Sequence, residues 1–484
     1  MTVYLVGAGP GDPGLLTVRA AGLLGAADVV IHDRLIDRRI LGLAPPDAEI
    51  VDVGKRANHH PVPQAAIHEI LVDRGRSRAT VIRLKGGDPY VFGRGGEEAE
   101  ALEAAGVGYE VVPGVSSFSA AAAAAGVPLT MRGHASAFTV LTGHDVTDPT
   151  STVDWESIAR SNATIVVLMG SAVRAAVADR LIAAGRSPDT PVLAVESATL
   201  PQQRSIRTTL AELGRADVGT PATIVVGTVA RLRLANYEQR PLAGRRIVVT
   251  RAASPNAPFE TMLQDAGAAV VSFPTIAIVD PADGGAALEK AAAAASSYDW
   301  IVFSSENAVD RFFAVLRDVR SIGSARVAAI GAATATALRR RGIVADLVPL
   351  RYVDEALLEA FVAPEGAGRV LLPRAAAARE VLPAGLRALG WHVDPVETYR
   401  TVHPEPDPAA IEALAGADTI TFFSSSAVSG FLSLAGAARI PPVVASIGPV
   451  TSATLREAGI EVTIEAAEHT GPGLVAALCG SRAR

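Results

Sequence analysis

The sequence predicts an α/β protein made of two successive parts, each alternating strands with helices, and three observations carry this prediction. Short apolar runs recur through the first half, VYLVGAG, ADVVIHD, ATVIRLKGG, YEVVPG, ATIVVLMG, TPVLAVE and ATIVVG, separated by Ala-, Leu- and Arg-rich segments of helical period. The stretch NYEQRPLAGRRIVVT, residues 236–250, sets polar residues, Pro241 and Gly244 between two β-like runs and marks a domain boundary. Beyond it one unit occurs twice. DWIVFSSENAV (299–309) resembles DTITFFSSSAV (418–428), and IGAATATALRRRGI (330–343) resembles IGPVTSATLREAGI (447–460). The offsets are 119 residues (299 to 418) and 117 residues (330 to 447), so strand, serine-rich turn, helix, strand, glycine turn and helix repeat in order. Two similar α/β lobes are expected.

Composition agrees with this reading. A chain of 484 residues is too long for a single core. Its 49% hydrophobic and 19% charged content is that of a globular protein, and no run approaches the roughly 18 consecutive apolar residues of a membrane-spanning helix. The N-terminus MTVYLVGAGP enters a strand pattern at once, without a basic leader or cleavage site, and Cys479 is the sole cysteine. A cytoplasmic location with no membrane partner is therefore expected. The net charge of −6 lacks the basic face that phosphate neutralisation needs, so no nucleic-acid partner is expected either. Only Lys55, Lys85 and Lys290 are lysines, which reflects either compositional bias or a demand for bidentate carboxylate recognition by arginine.

Two glycine loops in the first half bear on chemistry. VYLVGAGPGDPGLLT (3–17) follows a strand but departs from a dinucleotide fingerprint: the third glycine position falls on Asp12, and Pro10 removes an amide donor. RLKGGDPYVFGRGGEE (83–98) places Asp88 directly after Gly86 and Gly87. A carboxylate in such a loop repels phosphate. It accepts hydrogen bonds from hydroxyl or amino groups and attracts a positive centre, while glycine permits close backbone approach. S-Adenosylmethionine carries those groups and no phosphate. The other reading of both loops is a tight strand-to-helix turn.

In order and at their spacings, YLVGAGPGDPGLLT, ADVVIHDRL, VGKR, VPQAAI, VIRLKGGDPYVFGRGGEEAEAL, VVPGVSSFSAAAAAAGVPLT, IVVLMG and PATIVVG resemble uroporphyrinogen-III C-methyltransferases of the tetrapyrrole methylase family, over residues 2–234. The resemblance implies a domain at 1–240 with two α/β subdomains. It also implies S-adenosylmethionine as methyl donor, S-adenosylhomocysteine as product, no metal, and a homodimer through this domain. It carries cofactor contacts to Pro10, Gly86, Gly87, Asp88, Val91, Ser116, Ser117, Met169 and Ala198, and the roles of proton acceptor and donor to Asp33 and Lys55. Ala198 departs from the glycine usual in that turn, and Met131 stands where relatives have histidine before Arg132. Without the resemblance, Asp33 reads as a helix cap and Lys55 as a solvated turn residue. The implied substrate is a polycarboxylate, which makes Arg132 a candidate clamp, together with Arg34, Arg56, Arg83 and Arg94.

Past Gly244, the segments RRIVVTRAA, YDWIVFSSENAV, VAAIGAATATAL, VLLPRAAAAREVLPAGLRALGWHVDPVETYRT, TITFFSSSAV and VASIGPVTSATL resemble uroporphyrinogen-III synthase. The resemblance implies a domain at 245–484 with two α/β lobes, the first at about 245–279 and 403–484 and the second at about 280–402. It implies closure of hydroxymethylbilane to uroporphyrinogen III without a cofactor. Tyr399 in VETYRT matches the tyrosine suggested to assist loss of the hydroxyl, with packing near a lobe crossover as the alternative. Thr250, Arg251, Ser304, Ser305, Asn307, Ser424, Ser425, Gly448 and Thr451 are substrate-binding candidates by their place at strand ends. For the serines, helix capping is the competing explanation.

Together the resemblances imply a bifunctional enzyme of tetrapyrrole biosynthesis. The synthase half makes uroporphyrinogen III, and the methyltransferase half adds methyls at C2 and C7 to give precorrin-2 for sirohaem or cobalamin. The alternatives are a methylase of a later corrin intermediate and, for the second half, a non-catalytic tetrapyrrole-binding module.

Overall fold

The computed structural model describes residues 2–54, 62–148, 150–251, 258–350, 354–405 and 407–481. The chain divides into two compact units. One comprises Met1–Arg246, Phe259–Val270 and Leu478–Arg484, and the other Ile247–Pro258 and Val271–Ala477.

The first unit holds two five-stranded sheets. β1 (Thr2–Gly7), β2 (Val29–His32), β3 (Glu49–Asp52), β4 (Thr80–Lys85) and β5 (Tyr109–Val112) pair in the order β3-β2-β4-β1-β5, parallel throughout. Both faces of a parallel sheet must be covered by helices, so its strands are apolar on both sides. Val3, Leu5, Val29, Ile31 and Val81 pack with Ile67, Leu71, Ala99 and Leu102, while Val6, Val30, Ile82 and Leu84 pack with Ala20, Leu24 and Ile40. The second sheet comprises β6 (Phe138–Thr142), β7 (Thr164–Leu168), β8 (Pro191–Glu196), β9 (Arg204–Thr209) and β10 (Ala222–Val226), in the order β6-β7-β10-β8-β9. Only its β6–β7 pairing is parallel.

The strands that follow are β11 (Arg246–Val249), β12 (Ala269–Ser272), β13 (Ala277–Val279), β14 (Trp300–Phe303), β15 (Arg326–Ala329), β16 (Arg369–Ala375), β17 (His392–Val402), β18 (Thr419–Phe422), β19 (Val443–Ser446) and β20 (Ile464–Glu465). They form one sheet ordered β12-β11-β18-β19-β20 and another ordered β13-β17-β16-β14-β15. The duplicated sequence appears as a duplicated structure. β14, the helix Glu306–Val315, β15 and the helix Ala332–Arg340 match β18, the helix Ser425–Ala435, β19 and the helix Pro449–Glu457. Phe303 and Phe422 close their strands in full burial, each edge-on to a helix phenylalanine at the same offset, Phe312 at 5.5 Å and Phe431 at 5.9 Å. Such a ring pair contributes about 1 kcal/mol beyond the area it buries, so each copy keeps its own core anchor.

β13 pairs antiparallel with β17, Ala277 with Val402 and Val279 with Arg400. The chain therefore passes from one lobe to the other before Ala277, earlier than the crossing near 279 expected from the sequence, because residues 277–279 find their ladder partners in the second sheet.

Candidate active sites

At the C-terminal edge of the parallel sheet, three loops that the sequence nominated come together. Gly9 and Gly87 exchange backbone hydrogen bonds of 3.1 and 2.8 Å, joining the loop after β1 to the loop after β4. A Cβ on Gly7 would lie 2.6 Å from both Gly114 Cα and Gly87 O, so only glycine lets these segments approach so closely. Gly87, at φ +67°, faces Ser116 and Ser117, and Ser116 is the N-cap of the helix Ser117–Ala124. Gly86 looks onto open space. Asp88 shapes the cradle, because Oδ1 accepts from Tyr90 N at 2.8 Å and Oδ2 from Gly114 N at 3.1 Å. The second sheet contributes the turn after β8, where Thr199 Oγ1 accepts from Asp12 N at 3.3 Å and Leu200 packs on Gly11. Pro10 lies between these contacts on the first loop, Val91 lies on the second, and Ala198 lies within the turn.

Backbone strain is concentrated in the same places. The non-glycine residues described with positive φ are Phe92, Arg94, Met169, Ser197 and Thr199, at 44° to 68°. All fall in the loop after β4, at the end of β7, or beside Ala198. Left-handed backbone costs such residues about 1–2 kcal/mol each, and threonine is β-branched, so surrounding contacts must impose it. Met169 leaves β7 in this conformation with its side chain 45% exposed.

The cradle suits a ligand bearing hydroxyls and positive charge better than a phosphate. Asp12 and Asp88 stand in the loops, and Lys85, the adjacent cation, is turned inward to Glu98. Glu98 is fully buried, and its Oε1 accepts from Lys85 Nζ at 2.9 Å and Arg83 Nε at 3.0 Å. Burial, followed by the nearby Arg83 charge, lowers the Lys85 pKa despite Glu98. Arg83 reaches onward to Asp33 Oδ1 at 2.6 Å. Asp33 therefore does not cap the next helix; Asp37 does, accepting from Arg39 N. Arg83, 2% exposed and shared by two carboxylates, is likewise no free clamp for substrate. The sequence offered a signal for this buried network. Arg83 and Lys85 stand two apart on one strand, which puts both on the same face, toward the helix bearing Glu98. Lys55 and Arg56 lie outside the described residues. Arg132 is exposed in the hairpin closed by the Met131–Ala135 bridge, and Arg94 pairs with Glu97 at 2.6 Å.

In the second unit, Tyr399 and Ser305 meet, their hydroxyls 3.1 Å apart at the end of β14. Ser305 also caps its helix by accepting from Ala308 N, and Ser424 caps the matching helix through Ala427 N. Capping thus accounts for these two serines, while Ser304 lies half-buried and Asn307 exposed beside the first. Ser425 Oγ accepts from Thr454 Oγ1 at 2.7 Å, and Arg251 is exposed with its guanidinium 5.5 Å from the Phe423 ring centre. Thr250 is a correction. It is fully buried and donates to Thr421 O at 2.8 Å, so its hydroxyl fastens two strands and is not presented to a ligand. Thr451, at 4% exposure, is buried in the first turn of its helix, which starts after Gly448.

Residues 2–214 match the family model of tetrapyrrole (corrin/porphyrin) methylases, and residues 257–476 match that of uroporphyrinogen-III synthase HemD. A porphyrin biosynthesis protein HemD from Ruminiclostridium josui is 36% identical over 444 residues, 89% of this chain and 88% of that one. A uroporphyrinogen-III C-methyltransferase from Bacillus subtilis is 36% identical over 72% of this chain and 73% of its own. An S-adenosyl-L-methionine-dependent uroporphyrinogen III methyltransferase from Methanosarcina barkeri is 46% identical over 49% of this chain and 95% of its own. The class is thus a two-enzyme fusion, with a loop-cradle methylase preceding a duplicated α/β synthase. The chain belongs to the family of fused tetrapyrrole methylases and uroporphyrinogen-III synthases, and its work lies in tetrapyrrole biosynthesis.

Proposed function

We propose that the second half closes hydroxymethylbilane to uroporphyrinogen III and that the first half, using S-adenosylmethionine, methylates this product at C2 and C7 to give precorrin-2. The observation that carries the methylase assignment is the convergence of the three nominated loops through the Gly9–Gly87 bridge and the Asp88 tether. When bound, the donor supplies an electrophilic methyl group. The residues proposed to hold it are Pro10, Gly86, Gly87, Asp88, Val91, Ser116, Ser117, Met169 and Ala198. Their contribution is alignment, since an in-line displacement gains most from placing the reacting atoms about 3 Å apart.

The attacked macrocycle must afterwards lose a proton, and Asp33 is proposed to accept it. Arg83 holds Asp33 Oδ1, which fixes the carboxylate while Oδ2 remains for the proton. Lys55 is the proposed donor. In the synthase half, the Tyr399 hydroxyl, positioned by Ser305, is proposed to donate a hydrogen bond to the departing hydroxyl of the bilane. Arg251, Ser304, Asn307 and Ser425 are proposed to meet its carboxylates. Cytoplasmic operation as a homodimer through the methylase half completes the proposal, supported by the sole cysteine and by the family resemblance.

Two assays on the full chain test the two halves. With uroporphyrinogen III and labelled S-adenosylmethionine, two methyl groups are expected per product; transfer of none or only one would defeat the methylase assignment. With hydroxymethylbilane alone, the type III isomer is expected, and the spontaneous type I isomer alone would defeat the synthase assignment.

A further inference from the structure

The turn that carries Ala198 is held from behind by a chain of hydrogen bonds ending on the segment that leads out of the methylase half. Ser197 and Thr199 sit at φ 44° and 68°, so this turn must be held in place. Thr199 N donates to Gln203 Oε1 at 2.8 Å, and both side chains are more than nine-tenths buried. The Gln203 amide nitrogen donates to Ala124 O at 3.2 Å and to Glu238 Oε1 at 3.1 Å. Glu238 lies in the short 3₁₀ turn Tyr237–Gln239 and also accepts from the Ser205 hydroxyl.

This arrangement fixes which way the Gln203 amide faces. A buried amide can turn over, exchanging oxygen for nitrogen. Turned over, it would oppose two acceptors, Ala124 O and the Glu238 carboxylate, with an oxygen, and would confront the Thr199 N–H with another donor. The carboxylate thus keeps the amide oxygen on the strained turn. Thr199 in turn receives Asp12 N from the loop after β1, so the relay reaches the cradle. We propose that Gln203 and Glu238 are positioning residues for the methyl-donor site: Gln203 holds the 197–199 turn, and Glu238 acts through Gln203. The segment around residue 238, beyond the last strand of the second sheet, is then part of the cofactor site's support and not only a connector.

The inference rests on the proposed donor site, and S-adenosylhomocysteine binding to the full chain, measured by calorimetry, separates the two. Gln203→Leu should weaken binding about tenfold, the scale of one buried hydrogen bond and its unsatisfied partner. Glu238→Ala should weaken it about threefold, and Glu238→Gln, which keeps an acceptor oxygen, should restore most of that loss. Since Glu238 acts through Gln203, the double variant should bind no worse than Gln203→Leu alone. KM for the methyl donor should rise in step while KM for uroporphyrinogen III stays constant, a split that general loosening of the fold would not give. Wild-type affinity in Gln203→Leu and Glu238→Ala, or additive losses in the double variant, would overturn the relay. Should Gln203→Leu not fold, unchanged affinity in Glu238→Ala overturns it alone. No binding by the wild type, by contrast, would defeat the donor-site reading and the relay with it.

Discussion

The two units bring functional groups to their strand ends by different means. In the first, every described non-glycine residue with positive φ lies in a loop nominated for the cofactor; in the second, each described residue with positive φ is glycine. The first unit also holds an ion network, Asp33–Arg83–Glu98–Lys85, buried except at Asp33 and adjoining the proposed cradle, whereas the second caps ordinary helices with Ser305 and Ser424. On the proposed assignments, the difference teaches what each ligand would demand. A compact donor held by main chain would require the backbone to be bent and then locked, while a large polycarboxylate could be met by side chains standing on relaxed backbone.

The comparison can be broken most severely at Glu98. Its removal leaves buried Lys85 without its carboxylate and Arg83 with Asp33 alone, so Glu98→Ala should destabilise the first unit by about 3–5 kcal/mol in urea unfolding. A loss below about 1 kcal/mol would mean that water already solvates the network. Next comes Asp88. Losing two charge-assisted bonds that shape the cradle, Asp88→Ala should weaken S-adenosylhomocysteine binding about 100-fold with synthase activity unchanged. A near-normal affinity would show that the loop keeps its form without its tether.

Tyr399→Phe sharpens the comparison from the other side. It should slow bilane closure about tenfold, the worth of one hydrogen bond, and leave methylation of supplied uroporphyrinogen III untouched. An unaltered closure rate would reduce Tyr399 to packing in the core it shares with Phe303. The smallest effect is at Asp394. Partial burial opposes its ionisation, but hydrogen bonds from Arg369 and Tyr298 prevail and hold its pKa below the ordinary 3.8. A carboxylate with a depressed folded pKa stabilises the fold above its unfolded value and loses that contribution as pH falls through the folded one. Asp394→Asn should therefore cost about 1 kcal/mol at pH 7, discounted for partial exposure, and the gap to wild type should close below pH 3.8. A gap that persists there would assign the effect to packing.

Much of the architecture was legible because strands covered on both faces, whether parallel or antiparallel, read as apolar runs: β1, β2, β4, β7, β8 and β10 all stand out in this way. The strands that do not stand out, β3, β6, β9, β12, β13 and β20, are all sheet edges. An edge strand is half-solvated and carries polar residues, as EIVD in β3 and RSIRTT in β9 do, so its period is blurred. The cradle loops were legible because two glycine loops, each carrying an aspartate, follow apolar strand-like runs, although a tight turn shares that composition. The burial of Thr250 was not, since a hydroxyl at a strand end looks alike whether it faces a ligand or a neighbouring carbonyl. Nor was the reach of Gln203 and Glu238, whose partners lie 35 residues apart in a polar stretch without period.

The central claim is that one chain carries out two consecutive reactions. Supplying the full-length protein with hydroxymethylbilane and labelled S-adenosylmethionine, and nothing else, tests it directly. The account predicts a type III product bearing two labelled methyl groups at C2 and C7. Unlabelled type I uroporphyrinogen, or a type III product that carries no label, would contradict it.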